Sequence, residues 1–131
     1  MYYYILPTYA QAKKVIWDSL IEEHVPRQLV DKMNASELCI YWKNGSIQRF
    51  VGCDDIDKLR GINPCDVVFD EYSEMDPAIW TAIIQPVLRE NRGTATFIFT
   101  PKGKNHSWEL IQTAQKYPDS WFISVKSVYD T

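Results

Sequence analysis

Two adjacent carboxylates, Asp70 and Glu71, directly follow the apolar run Val67-Val68-Phe69. The β-branched and aromatic composition of this run is typical of a short strand buried on both faces. Ligands of open α/β sheets bind outside the carboxyl ends of the strands, so both acids are expected on the edge where a ligand would lie. One acid that holds a magnesium ion and a second that orients or deprotonates a water form the arrangement of a nucleotide hydrolase.

A second apolar run, Phe97-Ile98-Phe99, predicts a strand over residues 96–100 that brings Thr100 to the same edge. An apolar run that ends in acids is weak evidence alone, because many buried strands end in an acid that caps the next turn. The acids must therefore be interpreted together with the elements that position them.

Composition limits the class of protein. The chain has 131 residues, of which 46% are hydrophobic, as expected for one modest globular domain. Its net charge of -3 offers no overall attraction to a polyanion, so any contact with DNA would need a local basic patch. The cysteines Cys39, Cys53 and Cys65 are odd in number and lack Cys-x-x-Cys spacing, which predicts a reduced cytosolic chain without a structural zinc. No apolar run approaches the roughly 18 residues of a membrane span, and the N-terminus lacks a signal-peptide pattern.

Hydrophobic periodicity and turn residues predict the order of the elements. Thr8 is the predicted N-cap of the first helix, which should turn Ala12, Val15, Ile16, Leu20 and Ile21 inward and end before Pro26. Asn44-Gly45 predicts a β-hairpin, because both residues tolerate positive φ. The remaining predicted elements are a strand over 2–6, a short helix over 29–33, hairpin strands over 38–41 and 47–51, a helix over 107–116 and a final strand over 121–125.

Asp76 and Pro77 predict the start of another helix, with a kink or break at Pro86. Its apolar stripe is Ile79, Trp80, Ile83, Ile84, Val87 and Leu88. Strand and helix alternate through the second half of the chain, which favours right-handed crossovers. The predicted fold class is therefore α/β, with a mainly parallel sheet, flanking helices and a β-hairpin, in a single domain over residues 1–131.

Four short sequences resemble one protein family. They are Val67-Val68-Phe69-Asp70-Glu71, Thr100-Pro101-Lys102-Gly103-Lys104-Asn105, Pro7-Thr8-Tyr9 and Asn44-Gly45-Ser46. Together, in order and spacing, they resemble the ATPase domain of the large terminase subunit, the DNA-packaging motor of tailed bacteriophages. The resemblance runs over nearly the whole chain and implies a P-loop NTPase-like fold, with Mg²⁺ and ATP as cofactors of the intact protein. It also implies a homo-oligomeric ring in the host cytoplasm, with double-stranded DNA, the portal protein and the small terminase subunit as partners and no membrane.

The same resemblance implies roles for individual residues. Asp70 helps to hold the magnesium ion through water, and Glu71 activates the hydrolytic water. Thr100, Pro101 and Gly103 belong to a coupling motif that senses the γ-phosphate, which requires two discrete loop arrangements.

Four further residues are candidates for charged or polar contacts. Lys102, Lys104 and Asn105 are candidate contacts to phosphate or DNA, with solvated loop residues as the alternative. Arg60 is a candidate arginine finger for a neighbouring subunit; the alternative is a surface charge paired with Asp57, and such pairs contribute little.

One motif is missing from the sequence. No G-x-x-x-x-G-K-[ST] occurs, so the loop that cradles the β and γ phosphates is absent. The nuclease domain of large terminases is absent as well. The resemblance therefore implies that residues 1–131 are a single partial domain, a fragment of a packaging ATPase that is inactive alone. Its N-terminal piece would be encoded elsewhere, removed by truncation or lost by decay. The family's strand order places the missing phosphate-loop strand between residues 96–100 and 121–125, where its loss would expose an apolar edge. The isolated chain would close that gap by shifting its last strand, or associate through it.

Two alternatives come from other functional classes. A metal-dependent nuclease would combine Asp70 and Glu71 with Asp54, Asp55 or Asp57, because two-metal cleavage needs about three or four converging carboxylates. A non-catalytic interaction module would expose Trp80, Trp108 and Trp121 as surface anchors, whereas helical periodicity predicts that Trp80 and Trp108 face inward.

Overall fold

A computed structural model describes residues 1–130, and the chain divides into two compact units. The first unit is Met1–Phe99 and contains all six strands of the sheet; the second begins at Thr100 and contains one long helix. The prediction of a single partial domain stays a prediction. None of the helices within residues 1–130 has the length and apolar character needed to cross a bilayer.

The sheet is mixed and mostly parallel, as predicted. Its strands are β1 Tyr2–Leu6, β2 Val30–Asn34, β3 Cys39–Trp42, β4 Ile47–Gly52, β5 Asp66–Asp70 and β6 Thr94–Ile98. They lie in the order β2-β3-β4-β1-β5-β6, in which β4, β1, β5 and β6 are parallel to one another. Strands β2, β3 and β4 pair antiparallel. The parallel part carries the two acids at its carboxyl edge, because Asp70 is the last residue of β5.

The β3–β4 hairpin is confirmed, and it is part of the main sheet. Strand β4 pairs with β1 from Tyr2↔Gln48 to Leu6↔Gly52. In the turn, Gly45 has a φ of 87°, and the Asn44 side chain accepts a hydrogen bond from the Ser46 amide at 3.0 Å. Of the two residues Asn44 and Gly45, which both tolerate positive φ, only Gly45 adopts it.

Helix α1 covers residues 9–24 and starts at the predicted cap, since the Thr8 hydroxyl accepts a hydrogen bond from the Gln11 amide at 3.1 Å. Its middle, Ala12–Leu20, is π-helical. The i→i+5 bonds of a π-helix widen the spacing between residues on one face. Ala12, Ile16 and Ile21 are therefore buried as predicted, together with Trp17, whereas Val15 and Leu20 are exposed. The prediction that Val15 and Leu20 face inward is wrong.

Helix α2, Ile56–Leu59, is capped by Asp55, whose side chain accepts a hydrogen bond from the Lys58 amide.

Helix α3 spans residues 77–91 and follows Asp76, whose carboxylate accepts a hydrogen bond from the Ala78 amide at 2.9 Å. The helix is not broken at Pro86, because a π-helical segment, Ile79–Ile84, precedes the proline and the helix continues to Asn91. The predicted alternative, a kink at Pro86, stays a prediction. A proline ring collides with the carbonyl four residues earlier in a regular α-helix, and the wider π turn changes that spacing.

Helices α1 and α3 cover opposite faces of the sheet in the first unit. Helix α1 packs Ile16, Trp17 and Ile21 into a buried cluster with Phe50 of β4 and Leu6 of β1. On the other face, Trp80 of α3 lies edge-on to Phe69 and Phe97, with ring centroids 5.9 and 5.0 Å away. Burial of these side chains fixes β5 between its neighbours and thereby positions its carboxyl end.

Two predicted elements are wrong and one is displaced. Residues 29–33 are not helical: Arg27–Leu29 is one turn of 3₁₀ helix, and Val30–Asn34 is β2, held by pairing with β3. Residues 121–125 form no strand; Phe122 is 89% exposed and Val125 is 81% exposed. An apolar run becomes a strand only where a neighbouring strand accepts its backbone hydrogen bonds. Strand β6 ends at Ile98, two residues before the predicted end.

The second unit contains helix α4, His106–Lys116, which begins one residue before its predicted start. Ser107 and Ala114 are its buried residues, and Ile111 is half-buried. Trp108 lies beside this stripe and is 39% exposed, with the Lys104 ammonium 5.5 Å from its ring centroid. The prediction that Trp108 faces inward is therefore wrong, whereas Trp80 is buried as predicted.

Candidate functional site

The carboxyl ends of β1, β4 and β5 lie side by side, since these strands are parallel neighbours. Strand β1 continues into Pro7-Thr8, β4 into Cys53-Asp54, and β5 into Glu71. Gly52 permits the close approach of the first two, because a Cβ there would collide with the Tyr9 backbone nitrogen. The carboxyl edge of the sheet, where the sequence analysis expects a ligand, is therefore formed by residues from three strands of the first unit.

An open cleft of about 700 Å³ lies at this edge. Its lining comes from the end of β1, from α1, from the end of β5 and from the turn after β5. Its lining residues are Leu6, Pro7, Thr8, Gln11, Val15, Asp70, Glu71 and Glu74. The structure therefore brings both predicted acids and Pro7-Thr8 to one cleft, and it adds a third acid, Glu74, that sequence reasoning missed.

Asp70 is held at the end of its strand by a neighbour. Its side chain is half-buried, and its Oδ2 accepts a hydrogen bond from the Tyr4 hydroxyl at 2.8 Å. The sequence gives no signal for this contact, because the side chains meet only through the register of β1 against β5.

Glu71 is exposed and turns the chain sharply away from the sheet. Its φ of 57° and ψ of 42° place it in the left-handed region, which non-glycine residues rarely occupy. Its carbonyl accepts from the Glu74 amide at 2.9 Å and closes the 3₁₀ turn Tyr72–Glu74. A strained non-glycine residue beside a cleft is typical of functional positions. Because the strain lies on the backbone, it affects stability independently of the carboxylate.

We expect Glu71→Gly to be more stable than Glu71→Ala. Both changes remove the carboxylate, but only glycine adopts positive φ without a steric penalty. The left-handed conformation costs other residues roughly 1–2 kcal/mol, so the difference between the variants should be about 1 kcal/mol. Chemical denaturation of the two variants measures it.

The same pair of substitutions at Glu74 is the matched control, since Glu74 is not among the described residues with positive φ. There the alanine variant should be at least as stable as the glycine variant. An alanine variant at position 71 as stable as the glycine variant would contradict the observed conformation.

Two acids of the nuclease alternative, Asp54 and Asp55, have structural partners. Asp54 accepts from the Tyr9 amide at 3.0 Å, and Asp55 caps α2 and pairs with Lys58 at 3.2 Å. Within residues 1–130, no three potential metal-ligating side chains are grouped around a common point. The described part of the chain therefore does not supply the cluster that a two-metal nuclease requires.

Cys53 follows β4 at the same edge and is buried. Burial, and then the charges of Asp54 and Asp76, raise the pKa of the Cys53 thiol to about 12.

We expect Cys53 to resist alkylation at pH 8, because the thiolate is the reactive species. Buried Cys39 should resist alkylation as well. Exposed Cys65 should react first. Mass spectrometry after a short iodoacetamide pulse should find one modified cysteine, and Cys65→Ser should abolish the modification. Rapid labelling of Cys53 would contradict its burial.

The predicted residues of the second unit lie in the segment between β6 and α4. Thr100, Pro101 and Lys102 are exposed, and Gly103 has a φ of 62°. Asn105 has a role that the sequence analysis missed: it caps α4 by accepting from the Ser107 amide at 3.1 Å. His106 is the first residue of α4. The placement of Thr100 beside Asp70 and Glu71 stays a prediction.

Arg60 follows α2 and is exposed. Within residues 1–130, the ion pair at α2 joins Lys58 to Asp55 rather than Arg60 to Asp57. The arginine-finger role of Arg60 stays a prediction.

Comparison with solved structures identifies the fold. The large terminase ATPase domain of Thermus phage P74-26 matches with a TM-score of 0.65 and 25% identity, over 82% of this chain and 50% of that one. A mutant of the same ATPase domain matches with a TM-score of 0.70 and 24% identity, over 96% and 55% of the two chains. The large terminase of a thermophilic bacteriophage matches with a TM-score of 0.67 and 16% identity, over 91% and 30%.

These matches confirm the predicted resemblance at the level of the fold, an α/β arrangement with a mostly parallel sheet and flanking helices. The chain spans only 50% and 55% of the two ATPase-domain chains. No protein-family model and no curated protein matches the sequence.

Proposed function

We propose that this chain, which has the fold of a phage large terminase ATPase domain, is part of the ATPase of a viral DNA-packaging motor. One observation carries the proposal: Asp70 and Glu71 stand together at the carboxyl end of β5 and line an open cleft of about 700 Å³. Ligand sites of α/β sheets lie at this edge, and adjacent acids there suit magnesium-dependent phosphoryl transfer.

The two acids divide the chemistry. Asp70 is the magnesium-binding residue, since hard carboxylate oxygens are the ligands that Mg²⁺ prefers, with one or two carboxylates and several waters in a typical site. When bound, the ion neutralises charge on the transferred phosphoryl group. Glu71 is exposed at the cleft and acts as the general base that orients and deprotonates a water.

The cleft lining lacks the groups that normally hold a triphosphate. It contains three acids, Asp70, Glu71 and Glu74, and no lysine or arginine. Phosphate groups are normally held by backbone amides and a lysine of a glycine-rich loop, and no such motif occurs in this sequence. We therefore propose that the chain is inactive alone and that a phosphate loop from other residues completes the site.

Strand β6 offers a place for that missing part. It is one of the two edge strands of the sheet, it runs parallel to β5, and its residues Thr94, Thr96 and Ile98 are exposed. The outer backbone groups of an edge strand are a template for pairing with a further strand. A strand added here in parallel would be separated from β5 only by β6. Its carboxyl end would then lie at the same edge of the sheet as the acids.

The remaining assignments follow from the family resemblance. Thr100, Pro101 and Gly103 form the coupling segment, Arg60 is the arginine finger, and Lys102, Lys104 and Asn105 contact phosphate or DNA. The working assembly is a homo-oligomeric ring in the host cytoplasm, with double-stranded DNA, the portal protein and the small terminase subunit as partners.

Two experiments test the proposal. The reading frame immediately upstream of Met1 is expected to encode a glycine-rich loop ending in Gly-Lys-Thr or Gly-Lys-Ser.

A protein that contains this loop and the present chain is expected to hydrolyse ATP when Mg²⁺ is present. The Asp70→Asn variant of that protein is expected to lose the activity. Asp54→Asn is the matched control, because Asp54 follows β4 at the same edge and is absent from the cleft lining. Equal loss in both variants, or cleavage of plasmid DNA with Mn²⁺ by the present chain alone, would overturn the assignment.

A further inference from the structure

Tyr4 makes a side-chain contact to the acid pair from the neighbouring strand. Its hydroxyl donates a hydrogen bond to Asp70 Oδ2 at 2.8 Å. In the register of β1 against β5, Tyr4 lies opposite Val68, and Asp70 is two residues further along the same face. The contact is therefore a consequence of strand pairing, which is far more rigid than a loop.

Packing holds the Tyr4 ring in place. The side chain is half-buried, and its ring lies against Phe50 of β4 with a centroid distance of 5.8 Å. Phe50 in turn lies edge-on to Trp17 of α1, with a centroid distance of 6.1 Å. A hydroxyl on a ring fixed by two layers of packing presents its proton in one direction, which is the condition for a preorganised site.

The Tyr4 hydroxyl is the donor of the hydrogen bond to Asp70, because an ionised carboxylate only accepts. A protonated phenol is a permanent donor to Asp70, so the carboxylate has one oxygen engaged and its second oxygen available for another ligand.

We infer that Tyr4 is a positioning residue, which holds the Asp70 carboxylate in the orientation that binds a divalent cation at the cleft. The inference rests on the proposed function, in which Asp70 holds Mg²⁺. Partners that orient a metal-binding side chain typically change metal affinity by about 10- to 100-fold when they are removed. Without the Tyr4 hydroxyl, Asp70 loses its fixed rotamer and must be ordered during metal binding.

The test compares Mn²⁺ binding by the full chain and its variants, measured as paramagnetic broadening of the Glu71 and Tyr72 amide signals during titration. Tyr4→Phe keeps the ring against Phe50 and removes only the donor, and we expect at least about 10-fold weaker binding. Tyr2→Phe is the matched control, because Tyr2 is an exposed tyrosine on the same strand and face. It should bind Mn²⁺ as the wild-type chain does.

Wild-type affinity in Tyr4→Phe, together with loss of binding in Asp70→Asn, would overturn the inference and leave the proposed function intact. Binding unaffected by Asp70→Asn, or no binding by the wild-type chain, would overturn the inference together with the magnesium role of Asp70.

A second measurement needs no substitution of Tyr4. In wild-type chain labelled with ¹³C at tyrosine Cζ, the assigned Tyr4 signal should shift on addition of Mg²⁺, because metal binding at Asp70 changes the charge on its hydrogen-bond acceptor. The Tyr2 signal should stay constant. The shift should be absent in Asp70→Asn, and a Tyr4 signal that stays constant in the wild-type chain would overturn the inference.

Discussion

Replacing Glu71 by glutamine is expected to lower ATP hydrolysis by about 10²- to 10⁴-fold, the range that a positioned general base contributes. The measurement uses a protein that contains this chain together with a phosphate loop. Glutamine keeps the size of the side chain and its ability to bind water, but it does not accept a proton. Metal binding should be retained, because Asp70 is unchanged.

Glu74→Gln is the control for this result, since Glu74 lines the same cleft three residues later and its loss removes the same charge. It should hydrolyse ATP at close to the wild-type rate. A Glu71→Gln protein with the wild-type rate would exclude Glu71 as the base, and equal losses in both variants would indicate that only the summed charge of the cleft matters.

The second large effect concerns the packing that positions the acids. Phe69 directly precedes Asp70, is fully buried, and stacks on Phe97 at a centroid distance of 4.9 Å. Tyr72 and Trp80 lie edge-on to it at 5.7 and 5.9 Å. Phe69→Ala is expected to reduce the free energy of unfolding by about 3–5 kcal/mol, through lost burial and the cavity left among these rings. Domains of this size are stable by only about 5–15 kcal/mol, so much of the stability would be lost.

Urea denaturation followed by tryptophan fluorescence and circular dichroism measures this loss. Phe122→Ala is the matched control, because Phe122 is 89% exposed and its removal should change stability by no more than about 0.5 kcal/mol. A loss for Phe69→Ala as small as that for Phe122→Ala would contradict the observed packing around β5.

Local chemistry explains which elements the sequence predicts correctly. The caps at Thr8 and Asp76 and the turn at Gly45 depend on side chains within three residues of the backbone groups that they bind or bend. The strand before Asp70 is also correct, because its apolar residues meet neighbours on both sides. The caps and the turn are nearly independent of the remaining chain, so a single sequence is sufficient to predict them.

The incorrect predictions have two origins, which are partners distant in sequence and π-helical turns. Residues 30–34 are extended because β3 offers a pairing edge, and residues 121–125 have strand-like composition but do not pair as a strand. The π-helical turns of α1 and α3 move Val15 outward and carry Pro86 inside a continuous helix. Propensity is a weak preference in such segments, and tertiary contacts override it.

By itself, the sequence determined that two carboxylates follow a buried strand, and that the chain has an α/β fold with a mostly parallel sheet. Only the tertiary structure decided what surrounds these acids: the Tyr4 hydroxyl on Asp70, the left-handed backbone of Glu71, and Glu74 in the same cleft. The physical reason is that residue types and short-range patterns specify elements, whereas strand register and backbone strain arise from the packing of elements that are far apart in the chain.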